Sequence, residues 1–308
     1  MMQSQDIFST RDYLITGGSG LVGTALNGGK KPSSSVLNLL SPKSTFEWFE
    51  KNQVRNVIHC AGRVGGIGAN SAKKGTFLRE NLMMTINLFE SSRVSGVDKI
   101  ASFLSTCIFP DNVKYPLTVD QIFNGPPHDS NYGYAHAKRM QYVQAMAYRE
   151  EYGMNIVSLV PCNIYGINDN FNISSGHVIP SLIHKFYAAM KNKTNVEIWG
   201  TGREKREFLF ANDLHQIVAW VMDNYNEQEP LIISPDEEYE IGDVVELIRK
   251  EFEFKGEVTY NGEMSGQFRK PSDSSKLKKL MNPEFTTLES GIRQTVNWFV
   301  KNYKKARK

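Results

Sequence analysis

Tyr134 and Lys138 stand four residues apart in Tyr134-Ala135-His136-Ala137-Lys138, a spacing that puts both side chains on one helix face about one turn apart. A phenol, with an ordinary pKa of about 10, exchanges protons poorly near neutrality, and an ammonium beside it favours the phenolate. Such a pair suits proton transfer coupled to hydride transfer. Upstream, Ser105-Thr106 close an apolar run and can set a hydroxyl beside a reacting carbonyl oxygen. Cys107 follows two residues later, and His177 can enter from a facing loop. A thiol and an imidazole titrate close enough to neutrality to remove a proton from one face of a carbonyl-acidified carbon and return it on the other. Taken singly, such a cysteine is more often a small buried hydrophobe and such a histidine a loop residue. Cys60 and Cys162 read as core, and the other histidines show no metal-ligand spacing, so no metal site is expected.

A second constellation lies near the amino terminus, in Thr16-Gly17-Gly18-Ser19-Gly20-Leu21-Val22-Gly23. It follows an apolar run and opens a helix, with glycines spaced G-x-x-G-x-x-G. Gly17 can make the tight turn, Gly20 lets the backbone approach a pyrophosphate, and Gly23 lets the helix pack close to the sheet. Gly17, Gly20, Leu21, Val22 and Gly23 are therefore candidate dinucleotide contacts, with N–H groups at the helix start offered to phosphate. NAD binding usually places an acidic residue about 20 residues beyond the first strand. Here that region holds Lys30, Lys31 and Ser33-Ser34-Ser35, which suit the 2′-phosphate of NADPH better; a plain surface pair of lysines is the competing reading.

Positioning these groups requires alternating strands and helices. Apolar runs at 13–15, 57–60, 100–104 and 156–160 read as buried parallel strands, and 79–95 and 134–152 have helical spacing. The order βαβα predicts an α/β fold, a doubly wound, Rossmann-type parallel sheet with a smaller mixed α/β carboxy-terminal substrate lobe. Residues 1–165 form the dinucleotide-binding domain, with 207–234 returning to it, and 166–206 and 235–308 form the lobe. Loops are expected over 163–177 and 200–206, a strand at 207–210, a helix capped by Asp213, a strand at 231–233, and helices at 241–252 and near 288–303. The stretch 27–35 lies where a doubly wound fold normally finishes its first helix and begins its second strand.

The 308 residues, 40% hydrophobic, suffice for one sizeable core with a satellite lobe. The 36 basic and 33 acidic side chains are spread along the chain, giving a net charge of +3, so no nucleic-acid footprint stands out and an anionic small substrate is accommodated. Three cysteines fit neither a zinc site nor a disulfide framework and point to a reducing compartment. Residues 1–12 lack the apolar core of a leader, and no stretch approaches a membrane span. A cytoplasmic, soluble protein is expected.

Taken in order, the glycine turn, Ser105-Thr106 and the Tyr134/Lys138 pair resemble the extended short-chain dehydrogenase/reductases. Leu104-Ser105-Thr106-Cys107-Ile108-Phe109-Pro110, Asn124-Gly125-Pro126-Pro127-His128, Tyr134 to Arg139, Gly176-His177-Val178 and Trp199-Gly200-Thr201-Gly202 are similar, more narrowly, to family members acting on GDP-4-keto-6-deoxymannose as 3,5-epimerases and 4-reductases. The resemblance spans nearly the whole chain and departs most at 27–46. It implies epimerisation by Cys107 and His177, then reduction by NADPH with Tyr134 donating a proton, Lys138 tuning it and Ser105 holding the oxygen. It also implies a GDP-sugar held by Lys185, Trp199, Arg206 and Lys270, with Asn163 near the sugar, and a homodimer built on 79–95 and 134–152. A nucleotide-sugar 4,6-dehydratase or 4-epimerase remains open, although Thr106 is followed by Cys107-Ile108 where a dehydratase carries Asp-Glu. A non-catalytic dinucleotide-binding redox sensor is the reading from another class.

Overall fold

The structure, a computed structural model, describes Phe8, residues 13–263 and residues 266–308; the amino-terminal residues read above for a leader otherwise lie outside the described residues. The chain runs β1 (Tyr13–Thr16), α1 (Leu21–Ala25), α2 (Pro42–Asn52), β2 (Asn56–His59), α3 (Ile67–Ala72), α4 (Lys74–Val94), β3 (Lys99–Phe103), α5 (Tyr132–Tyr152) and β4 (Asn155–Pro161). It continues through β5 (Asn163–Tyr165), α6 (Val178–Asn192), β6 (Val196–Ile198), β7 (Lys205–Phe210), α7 (Leu214–Asn224) and β8 (Leu231–Ile233). The last elements are β9 (Glu238–Glu240), α8 (Ile241–Glu251), β10 (Val258–Tyr260), α9 (Ser275–Leu280) and α10 (Leu288–Asn302).

The four apolar runs, with β8 added beside β4, form a five-stranded parallel sheet in the order β1-β2-β3-β4-β8. Alternate side chains serve opposite faces. Ile15, Ile58, Ala101 and Val157 pack with Leu214, Ile217 and Val218 of α7, whereas Leu14, Val57, Ile100 and Ile156 pack with Trp48, Phe49, Leu88 and Phe89 from α2 and α4. A continuous apolar run is what a strand covered on both faces demands.

On the outer side of β1 the expected second strand shrinks to a single bridge, in which Ile15 N–H bonds the Lys30 carbonyl at 2.9 Å and Lys30 N–H bonds the Tyr13 carbonyl at 2.7 Å. Gly28-Gly29-Lys30-Lys31-Pro32 explains the loss: glycine pairs weakly in strands and proline has no N–H for a ladder. The bridge still matters, because the chain leaves β1 first toward Lys30 on one side and then, after α2, toward β2 on the other. That reversal puts a crevice at the carboxyl end of β1.

The rest of the chain builds a second core. β5, β7 and β9 form a mixed three-stranded sheet, β6 pairs with β10, and Phe171, Phe186, Val244, Ile248 and Phe299 fill the space between these strands and α6, α8 and α10. Phe171 stacks on Phe299 with centroids 4.3 Å apart. Two expectations change. Residues 163–165 form β5 instead of a loop, because β7 offers a parallel partner. Asp213 stands at the N-cap of α7 as expected, but its side chain makes no capping hydrogen bond; its carboxylate accepts from Thr286 N–H at 2.8 Å and Thr286 Oγ1 at 2.7 Å, tying α7 to the approach to α10. Among the described residues no helix is long and apolar enough to cross a membrane.

Gly133, immediately before Tyr134, sets how closely α5 approaches α4, since a Cβ there would lie 2.1 Å from the Lys74 carbonyl oxygen. Gly133→Ala is expected to destabilise the fold by about 1–3 kcal/mol through overpacking. Thermal unfolding checks this, and an unchanged midpoint contradicts the close approach.

Candidate active site

The crevice at the end of β1 is floored by glycine. Gly17 takes a φ of +68°, and a Cβ on it would lie 2.8 Å from the Ala61 nitrogen. Gly20 N–H closes the turn on the Gly17 carbonyl at 2.8 Å, and a Cβ on Gly23 would strike that same carbonyl at 2.3 Å. Side chains are thus excluded from a surface made of bare backbone, which fits a pyrophosphate. α1 has only five residues, so its dipole adds little, and the N–H groups of Leu21 and Val22 at its start are what remain for phosphate. Lys31 lies across the turn, its Cβ 2.5 Å from where a Cβ on Gly18 would be, and its ammonium donates to the Leu26 carbonyl. Lys30 turns away, donating to the Asn52 carbonyl at the end of α2 at 2.8 Å, so the two lysines do not act as a pair.

Beneath the turn Thr16 Oγ1 accepts from Ala61 N–H at 3.1 Å and shares a hydrogen bond with His59 Nδ1 at 2.9 Å. Burial, helped by the Lys138 charge, pushes His59 down to about 3. This neutral histidine joins the ends of β1 and β2. It carries no motif spacing and was legible only as core.

α5 delivers Tyr134 and Lys138. The Tyr134 hydroxyl lies close enough to Ser105 for the serine hydroxyl to favour its ionised form, and Ser105 Oγ accepts from Cys107 N–H at 3.3 Å. Burial pushes the Tyr134 phenol well above its ordinary value, Cys107 adds to this, and the Ser105 hydroxyl opposes it. The expectation that Lys138 draws the phenol down is therefore corrected: the ammonium sits 6.0 Å from the Tyr134 ring centroid, and desolvation wins. Burial thus favours the neutral phenol. Lys138 is only 4% exposed and donates to the Phe103 carbonyl at 2.8 Å and to Gln141 Oε1 at 2.9 Å. Burial pushes it down to about 8, with Cys60 opposing, so it is mostly charged at neutrality.

Cys107, on the short turn Thr106–Ile108, interacts electrostatically with Tyr134, Arg206 and Lys270. Arg206, from β7, donates to the carbonyls of Lys205 at 2.6 Å, Phe268 at 3.0 Å and Gln267. Burial lowers both Arg206 and Lys270. Ser105 and Cys107 thus share one turn, and Tyr134 and Lys138 share one face of α5. His177 stands at the start of α6, its Nδ1 buried without a hydrogen-bond partner, and burial lowers its imidazole so that it stays neutral. Its loop presses on the 65–66 turn, where Gly66 N–H bonds the Ser175 carbonyl at 2.9 Å. Ile67, next in the chain, lies 3.0 Å from where a Cβ on Gly266 would be, and that point is 3.9 Å from Arg206.

Lys185 and Trp199 make a separate platform, with the ammonium 4.1 Å from the ring centroid and donating to the Glu197 carbonyl at 2.9 Å; Trp199 is 52% exposed. Asn163 donates to the Glu207 carbonyl at 2.8 Å and joins β5 to β7. Two groups were missed from the sequence. Gln141 holds Lys138, and Glu207, pushed up to about 7 by burial, accepts from Ser272 N–H at 3.1 Å and Oγ at 2.6 Å, anchoring the segment that carries Lys270. Among the described residues no group of three or more His, Cys, Asp or Glu side chains is placed to hold a metal.

Residues 30–242 match the model of the NAD dependent epimerase/dehydratase family, a stretch that begins beyond the glycine turn. The chain is 44% identical to a GDP-L-fucose synthase of Dictyostelium discoideum, covering 97% of this chain and 98% of that one. It is 38% identical to a probable GDP-L-fucose synthase of Drosophila melanogaster over 97% and 100%. A crystal structure of a GDP-L-fucose synthetase from Naegleria fowleri bound to NADP superposes with a TM-score of 0.90 at 35% identity, covering 97% of each chain.

Burial of His59 gives this region a pH signature. Below its ordinary value of 6.5 the unfolded chain takes up a proton that the folded chain refuses until about pH 3. Its contribution to stability is therefore full above 6.5 and is lost as pH falls toward 3. His59→Gln keeps an acceptor for Thr16 but cannot titrate, so its melting temperature should fall less steeply over that window than the parent's; parallel curves contradict a buried neutral histidine.

Proposed function

The chain belongs to the NAD dependent epimerase/dehydratase family, and on that footing we propose that it is an NADPH-dependent GDP-L-fucose synthase, converting GDP-4-keto-6-deoxymannose to GDP-L-fucose by epimerisation at carbons 3 and 5 and reduction at carbon 4. The observation that carries this reading is the placement of Ser105 and Cys107 on one turn, where Cys107 N–H bonds Ser105 Oγ at 3.3 Å, together with the Tyr134/Lys138 pair on α5. A reductase alone has no use for the thiol. A dehydratase has no use for Cys107-Ile108 after Thr106.

In this reading residues 1–165, with 207–234, hold the dinucleotide, and 166–206 and 235–308 hold the sugar nucleotide. Gly17, Gly20, Leu21, Val22 and Gly23 present backbone to the pyrophosphate, and Lys31 meets the 2′-phosphate; Lys30 joins only if it leaves the Asn52 carbonyl. When bound, NADPH supplies the hydride for carbon 4. Arg206 and Lys270 place positive charge beside Cys107, where the substrate's diphosphate enters, and the Lys185–Trp199 platform takes the nucleoside end. Asn163 contacts the sugar.

Ser105 and Tyr134 donate hydrogen bonds to the 4-keto oxygen and stabilise the enolate that forms when a neighbouring carbon loses its proton. His177, neutral and with an open nitrogen, and Cys107, on the facing side, take and return that proton. After inversion Tyr134 gives its phenolic proton to the oxygen at carbon 4. A phenol whose pKa is raised keeps that proton until the oxyanion forms, and the Lys138 cation stabilises the phenolate left behind. The product leaves as a GDP-sugar.

We also assign the enzyme to the cytoplasm, since its three cysteines are free thiols, and read it as a homodimer. Ile86 and Val94 on α4 and Met140 and Tyr152 on α5 expose apolar surface.

With GDP-4-keto-6-deoxymannose, the protein should consume NADPH and yield GDP-L-fucose identified by NMR; activity on an unmodified nucleotide hexose in its place would overturn the assignment. Tyr134→Phe should lower turnover by about 10²–10⁴-fold with NADPH affinity retained. Cys107→Ser should stop solvent deuterium entering at carbons 3 and 5, and undiminished incorporation removes the thiol from the chemistry.

A further inference from the structure

The reductive centre has a support that no motif marks. Gln141 lies three residues after Lys138 on the same helix face and is 1% exposed. Its Oε1 accepts from the Lys138 ammonium at 2.9 Å. Its Nε2 donates to the Phe103 carbonyl at 3.1 Å and to Ser102 Oγ. Thr85 of α4 reaches the same Oε1 at 3.5 Å. The amide can sit only one way round, because an ammonium only donates and a backbone carbonyl only accepts; the reverse orientation would set donor against donor and acceptor against acceptor.

We propose that Gln141 is a positioning residue for Lys138: its side-chain oxygen and the Phe103 carbonyl form a two-oxygen seat that holds the ammonium, as a cation, near Tyr134. The proposal rests on the reading of Lys138 as part of the reductive centre. The Phe103 carbonyl is shared by Lys138 and Gln141, so the amide fixes one acceptor while supplying the other. Phe103 belongs to the strand end that leads, two residues on, to Ser105. The same side chain thereby sets the ammonium relative to the hydroxyl pair. The titratable groups bearing on Lys138 are Cys60 and His59 at the end of β2, with Tyr134 one turn back on α5. None of these is a carboxylate, so neutral oxygens carry the stabilisation of the charge.

The test reads the ammonium itself. Protein labelled with 13C and 15N in lysine, without added cofactor, is titrated by NMR, and the Lys138 signal is identified by its absence in Lys138→Met. Loss of one hydrogen bond to a buried charge in Gln141→Leu should move the Lys138 midpoint down by about one pH unit or more. Gln141→Glu, which puts a carboxylate in the same seat, should move it above the parent's. The alkaline limb of kcat should follow in the same order. Coincident midpoints in the parent, Gln141→Leu and Gln141→Glu overturn the proposal and leave the Tyr134/Lys138 assignment standing. Undiminished turnover by Lys138→Met overturns that assignment instead. If Gln141→Leu does not fold, Gln141→Glu and Gln141→Met give the same comparison.

Discussion

Keeping a positive charge on a lysine that is almost wholly removed from water is the constraint around which this molecule is arranged. Desolvation alone drives an ammonium toward neutrality, and below about pH 8 the folded chain must hold Lys138 charged against that tendency. Its ordinary value is 10.5, so this group costs stability at neutral pH, regained as pH rises from 8 toward 10.5. A residue that lowers stability at working pH is expected where chemistry needs it. Two oxygens, one from β3 and one from α5, offset the cost.

The constraint propagates outward. α5 must lie close against the end of β3 for the Phe103 carbonyl to reach Lys138, and Gly133 permits the contact with α4 that seats the helix. β2 must end beside them, and the Thr16–His59 bond joins it to β1. β1 then leads into the glycine turn, where a Cβ on Gly17 would meet Ala61, and a Cβ on Gly62, next in the chain, would lie 3.9 Å from the Lys138 ammonium. The proposed reaction needs these groups near one another, because it couples a hydride carried by the dinucleotide to a proton carried by Tyr134. On the far wall Arg206 and Lys270, held by the 266–272 segment and by Glu207 beneath it, bring the cations to Cys107.

Local pattern made much of this legible. The parallel strands announced themselves as apolar runs, the Tyr134/Lys138 pair by its spacing, and the glycine turn by its place between strand and helix. Whatever depended on a distant partner was not legible. Gln141 looks like any polar residue in the second turn after Tyr134, because Phe103 and Ser102, to which it donates, come from β3, far off in the chain. Glu207 carries no motif, and its partner Ser272 lies 65 residues away in the chain. Asp213 has the right type and place for a helix cap, yet Thr286, 73 residues away, takes its oxygens. The direction in which Tyr134 is pushed was misread for a related reason: spacing tells that a cation is near, whereas burial, which outweighs it, is a property of the folded whole. Lys30 and Lys31 are adjacent in sequence but diverge because the strand they would have occupied is only one bridge long.

A crystal structure of the protein with NADP+ bound tests the central claim most directly. The pyrophosphate should rest on the backbone of Gly20, Leu21 and Val22, with the reactive edge of the nicotinamide facing the Tyr134 hydroxyl and its ribose within hydrogen-bond reach of Lys138. A coenzyme seated elsewhere, or a nicotinamide turned away from Tyr134 while Lys138 remains bonded only to Phe103 and Gln141, would contradict the account.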